Sequence, residues 1–108
     1  MENTFPACSI ELTLSLIGDK WKFLIVRDLL TGTKRFGELK RSLGSISQKV
    51  LTSQLRLLEQ NGIVHREVFA QVPPRVEYSL TTTGKTLSSV LSALESWGDE
   101  YRKNTAQQ

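Results

Sequence analysis

At 108 residues, with 39% hydrophobic and 23% charged side chains, the chain has the size of one domain and the make-up of an ordinary soluble globular protein, so a single unit over 1–108 is expected. No apolar run approaches the roughly 18 residues that span a bilayer, and Met1–Pro6 lacks the cationic and apolar regions of a secretion signal; a cytoplasmic protein without membrane contact follows. The one cysteine, Cys8, rules out an intrachain disulfide, and fourteen basic against eleven acidic residues, a net charge of +3, favour a polyanionic partner only mildly.

In chain order, residues 9–17 are ambiguous. Ile10, Leu12, Leu14 and Leu16 alternate as in a strand, Ile10, Leu14 and Ile17 share one helical face, and helix is the preferred reading. Gly18 breaks that pattern, and Asp19 can cap a helix over Lys20–Leu30 that buries Trp21, Leu24, Ile25 and Leu29 before Thr31-Gly32 ends it. A short helix over Phe36–Leu43 leads through the turn Gly44-Ser45-Ile46 to a third, from Ser47 to Gln60. At about 100° per residue, Leu51, Leu55 and Leu58 fall on one stripe of this third helix and Lys49, Ser53, Arg56 and Gln60 lie opposite. Two helices and a tight turn of this kind read as helix-turn-helix.

After Asn61-Gly62, the runs Ile63–Val72 and Val76–Leu80 have strand composition, with Val76, Tyr78 and Leu80 inward and Glu77 and Ser79 outward. Pro73-Pro74-Arg75 between them reads as a rigid cationic hairpin tip, the wing of a winged helix. From Thr82 helical spacing resumes through Leu87, Val90, Leu91, Leu94, Trp97 and Tyr101, then frays into the polar tail Lys103–Gln108. The expected fold is therefore α+β: a winged helix-turn-helix with a β-hairpin wing and additional terminal helices, ordered over about 9–103.

The outward face of the third helix carries Gln, Lys, Thr, Ser and Arg, types that hydrogen-bond phosphates and base edges. Just upstream, Lys34, Arg35, Lys40 and Arg41 face the single Glu38 in sequence; a run like this is often no more than a solvated face, but here it abuts a helix-turn-helix. Enzyme signals fail. Gly84-Lys85-Thr86 imitates the end of a phosphate-binding loop, yet the earlier glycine of that motif falls at Ser79. His65 is the only histidine and Cys8 the only cysteine, so no zinc site can close; neither an enzyme nor a cofactor or metal is expected.

The blocks Leu16–Lys22, Lys34–Leu39, Ile46–Glu59, Val72–Thr81 and Thr83-Gly84 resemble the HxlR-type family of bacterial winged-helix transcription regulators, related to the MarR group, in family order across about nine tenths of the chain. The resemblance implies a homodimer that binds double-stranded operator DNA as a repressor or activator, with an unknown small-molecule effector. A winged helix used for protein interaction without DNA is the alternative. Carried over residue by residue, it implies major-groove reading by Gln48, Lys49, Thr52, Ser53 and Arg56 behind a capping Ser47, and phosphate or minor-groove contact by Arg75; from the cationic run itself, Lys34 or Arg35 is expected to add phosphate contact. For Arg75 the competing reading is a turn residue packed on Tyr78.

The terminal stripe of Leu87, Val90, Leu91, Leu94, Trp97 and Tyr101 either completes the domain's own core or forms a dimer interface together with 9–17; with much of the core already supplied, an interface over about 83–103 is the preferred reading. Cys8 is either a redox or electrophile sensor, as in regulators that resemble this chain, or a buried inert residue.

Overall fold

The computed structural model describes residues 4–106 and resolves the ambiguity of 9–17 as helix α1, Ser9–Ile17. Only Ile17 of α1 enters the core; Ile10 and Leu14, one helical turn apart, project into solvent. Helix α2, Lys20–Leu29, starts at Asp19, whose Oδ1 accepts the Lys22 backbone N–H at 2.9 Å, so the expected cap forms. Its buried face is turned from the expected one: Ile25, Val26 and Leu29 are buried, whereas Trp21 and Leu24 only border the core. The Lys20 ammonium lies 4.6 Å from the ring centroid of the half-buried Trp21.

Residues Lys34–Arg35 form a strand, β1, too short to leave a periodic signal. Helix α3, Phe36–Leu43, follows at once, and the Glu38 carboxylate accepts the Arg35 backbone N–H at 2.8 Å, tying the helix start to the strand. Gly44 turns the chain with φ 68°, a conformation open to glycine, and delivers it to the recognition helix α4, Gln48–Gln60. Leu51, Leu55 and Leu58 of α4 are all buried, as their spacing predicts.

Strands β2, Val64–Phe69, and β3, Arg75–Leu80, pair antiparallel, and β1 adds to the other edge of β3, giving the order β1-β3-β2. Strand β2 is shorter than expected at both ends, while β3 begins one residue earlier than expected. Arg75 does not sit at the tip; it opens β3 in register with Phe69, and the loop is 70–74. Register keeps Val76, Tyr78 and Leu80 on the face that carries the buried Val64, but exposure along β3 does not alternate. Flanking strands half-bury Val76, Glu77, Tyr78 and Ser79 alike, and only Leu80 is fully covered.

The C-terminal segment departs from a single helix. Helix α5, Thr82–Lys85, is capped by Thr81, whose Oγ1 accepts the Gly84 N–H at 2.9 Å, and the chain breaks before α6, Ser88–Ala106. The expected fraying at Lys103 does not occur: α6 continues through Ala106. The terminal stripe divides, and only part of it completes the core. Leu87, Val90 and Leu91 pack against the core, whereas Leu94, Trp97 and Tyr101 are 50%, 69% and 58% exposed.

Candidate nucleic-acid interface

Helix α4 begins where its sequence says it should. The Ser47 hydroxyl oxygen accepts the Val50 N–H at 3.1 Å, leaving neighbouring amides of the first turn open at the positive end of the helix dipole. From that end a shallow groove runs along the outer side of α4, lined by Gln48, Lys49, Thr52, Ser53, Arg56, Leu57 and Gln60. All the recognition-helix residues named from sequence are thus brought together. Lys49 and Arg56 are exposed and form no ion pair among the described residues; Thr52 is half-buried on the flank nearer the sheet.

Leu57 was not foreseen as part of this face. It is 40% exposed because it lies roughly 120° from the Leu51–Leu55–Leu58 stripe, an angle the helical period gives but a rule of apolar-inside conceals. An exposed aliphatic group on a reading face suits the thymine methyl.

The flanking cations are distributed less simply. Lys34 and Arg35 are adjacent in β1 and so point to opposite faces of the sheet. Lys34 is half-buried beside a depression that also carries Asp28 and Glu38, while Arg35 is exposed at the start of α3. Arg75 is held on the outer face of the sheet: its Nε lies 3.2 Å from Glu77 Oε2, and its guanidinium stacks 4.2 Å from the Phe69 ring centroid. Packing on Tyr78 does not occur, because the register pairs Arg75 with Phe69 and sends Tyr78 to the other face.

Cys8 occupies the position before the first turn of α1, and it is exposed rather than buried. Among the described residues no His, Cys, Asp and Glu side chains gather in a group that could hold a metal ion, and no helix is long and apolar enough to cross a membrane.

Helices α3 and α4 with their tight turn, followed by the β2–β3 hairpin, define a winged helix-turn-helix protein. The profile of the HxlR-like helix-turn-helix family matches residues 16–106, and the chain belongs to that family. It is 48% identical over 98 residues to the HTH-type transcriptional regulator YdeP of Bacillus subtilis strain 168, across 91% of this chain and 77% of the relative. Among solved structures it resembles the redox regulator HypR. The oxidised form gives a TM-score of 0.82 at 50% identity, covering 86% of this chain and 96% of HypR; the reduced form gives 0.87 at 46%, covering 94% and 100%. The reduced form of the B. subtilis regulator YodB matches with a TM-score of 0.78 at 39% identity, over 89% of this chain and 95% of YodB. The chain is a DNA-binding transcriptional regulator, a reading the family favours over a winged helix used without DNA.

Proposed function

We propose that the chain acts in the bacterial cytoplasm as a homodimer whose two α4 helices enter successive major grooves of an operator, roughly 34–36 Å apart. The observation that carries this is the outer face of α4, where Lys49 and Arg56 stand exposed among Gln48, Thr52, Ser53 and Gln60 opposite the buried Leu51, Leu55 and Leu58. Lys49 and Arg56 meet phosphate or guanine, Gln48 meets adenine, and Thr52 and Ser53 make short contacts. Arg35 and Arg75 share the outer face of the sheet, where they are available to phosphate beside the wing; Lys34, turned to the other face, contributes least. Ile10 and Leu14 of α1 with Leu94, Trp97 and Tyr101 of α6 supply the apolar surface that joins the two subunits. No catalytic or cofactor-dependent step enters this reading.

A dimer of this kind contacts on the order of 6–10 phosphates, so its affinity for duplex DNA should fall by roughly 10³–10⁵ between about 50 and 200 mM salt. Binding indifferent to salt overturns the reading.

A second element concerns the signal. Cys8 is exposed beside α1, and the chain resembles HypR, a redox regulator, at 50% identity; oxidation or alkylation of Cys8 is proposed to change operator affinity.

A further inference from the structure

Between the recognition helix and the wing lies a cleft of about 270 Å³, walled by Thr52, Leu55, Arg56 and Glu59 of α4 and by Arg66 and Tyr78 of the sheet. The register sets Arg66 of β2 directly against Tyr78 of β3, on the face that also carries the buried Val64 and Leu80, so Arg66 stands on the helix side of the sheet. Two arginines therefore line one cleft, Arg56 from the helix and Arg66 from the strand. Glu59 lines it too, yet neither arginine forms an ion pair with it or with any other carboxylate among the described residues. Thr52 and Arg56 also line the outer groove of α4, which makes the cleft a lateral continuation of the reading face.

We propose that this cleft is a backbone-phosphate site and that Arg66, with Arg56, clamps the DNA strand passing between recognition helix and wing. The inference rests on the DNA-binding reading above. Its geometry follows from sizes: a helix with side chains is about 10–12 Å across and the major groove about 12 Å wide, so a docked helix has sugar-phosphate strands along both flanks. The α4 flank towards β2 carries Thr52 and Arg56, and Arg66 is the next cation beyond it. An arginine there meets a phosphate with two parallel N–H donors, while the Thr52 and Tyr78 hydroxyls offer further donors to the same group. Two cations against Glu59 leave the cleft with net positive charge. Because phosphates carry no sequence information, Arg66 sets register and affinity without choosing bases.

The test compares wild type, Arg66→Ala, Arg66→Lys, Glu59→Gln and Lys49→Ala on mixed-sequence duplex DNA over a range of salt, with melting temperatures measured in parallel. The expected result for Arg66→Ala is weaker binding to every duplex and a plot of log K against log salt that is shallower by about 0.9 for each Arg66 engaged, with Arg66→Lys keeping most of the slope. If Arg66→Ala does not fold, Arg66→Gln takes its place in the same plot. An unchanged slope in a folded Arg66 variant, with Lys49→Ala still shallower than wild type, overturns the clamp and leaves the DNA-binding reading intact. A lowered melting temperature shared by Arg66→Ala and Glu59→Gln, without change in slope, makes Arg66 a brace between strand and helix and also overturns it. A flat plot for wild type removes the DNA-binding reading itself, and the clamp with it.

Discussion

A Cβ added to Gly84 would come within 2.2 Å of the Ile63 carbonyl oxygen, so the start of the C-terminal region is seated directly on the turn that ends the recognition helix. The same junction is tied by hydrogen bonds. The Thr81 N–H donates to the Ile63 carbonyl at 3.0 Å, and the Thr81 hydroxyl donates to the Gly62 carbonyl at 2.6 Å. These contacts fasten α5 to the turn at the C-terminal end of α4.

Replacing Gly84 by alanine forces the two backbones apart, since the obstacle is main chain and not the end of a flexible side chain. Gly84→Ala should cost about 1–3 kcal/mol, as overpacked sites do. Thermal unfolding should show a drop of several degrees; a variant that melts with wild type would mean that the junction is not a tight one.

Opposite faces of α4 should respond oppositely to truncation. Lys49→Ala and Arg56→Ala remove exposed side chains without cap or core roles, so stability should stay within about 0.5 kcal/mol while DNA binding weakens. Leu55→Ala leaves a cavity under a residue that is only 2% exposed and should cost roughly 2–5 kcal/mol. Unfolding midpoints beside binding isotherms for the three variants decide the matter, and a stable Leu55→Ala with unfolded cationic variants would invert the assignment.

Asp19 and Lys22 give the N-terminus of α2 a pH-dependent tie. Burial works to raise the Asp19 pKa, but hydrogen bonds from the Lys22 ammonium and backbone N–H, the lysine charge and the Trp21 N–H outweigh it and hold the carboxyl below its ordinary 3.8. With the folded-state value depressed, the tie is fully present above the unfolded carboxylate's pKa and is lost as the pH falls through the folded-state value. Asp19→Asn keeps a capping oxygen but leaves the buried Lys22 without its counter-charge. Urea midpoints should separate wild type from Asp19→Asn at about pH 7 and draw together as the pH falls below the ordinary carboxylate range; a gap independent of pH would show that the cap alone matters.

The elements that a single apolar stripe defines were legible in the sequence. Helix α3 and the buried face of α4 appear as expected because Leu39, Leu43, Leu51, Leu55 and Leu58 repeat at helical spacing and nothing else competes for them. What escaped depends on long-range pairing. Strand β1 is two residues that become a strand only by meeting Tyr78 and Glu77, more than forty positions away. The site of Arg75 turned on where β3 begins, a register that Pro73-Pro74 does not disclose. Arg66 drew no notice for the same reason: its partners in the cleft, Arg56 and Tyr78, lie on different elements.

The exposed half of α6 should prove to be the dimer contact. Trp97 and Tyr101 stack with ring centroids 5.4 Å apart and planes 16° from parallel, a rigid aromatic pair left open to solvent beside Leu94. Buried aromatic anchors at interfaces are commonly worth about 2 kcal/mol or more, so Trp97→Ala should weaken the dimer by roughly thirtyfold. Sedimentation equilibrium should show monomer where wild type is dimeric, with operator binding lost in parallel. Wild-type association by this variant would move the interface elsewhere.

Cys8 should couple oxidation to DNA affinity through α1. The thiol is exposed at the head of a helix whose Ile10 and Leu14 are themselves uncovered, so two copies are brought near each other if α1 joins the dimer contact. Peroxide can then take two electrons and two protons from a pair of Cys8 thiols to form an intersubunit disulfide, provided their Cα atoms approach within about 7 Å. A quinone would instead add to one thiolate. Either event changes the packing of α1 against the partner and so the separation of the two α4 helices, and a dimer whose reading heads are wrongly spaced cannot engage both half-sites. Wild type and Cys8→Ser should therefore bind DNA alike when reduced and differ after mild peroxide or quinone treatment, with reductant restoring the peroxide-treated wild type alone. Equal responses from both proteins, or none from wild type, would make Cys8 a bystander and require the regulatory signal to enter by another route.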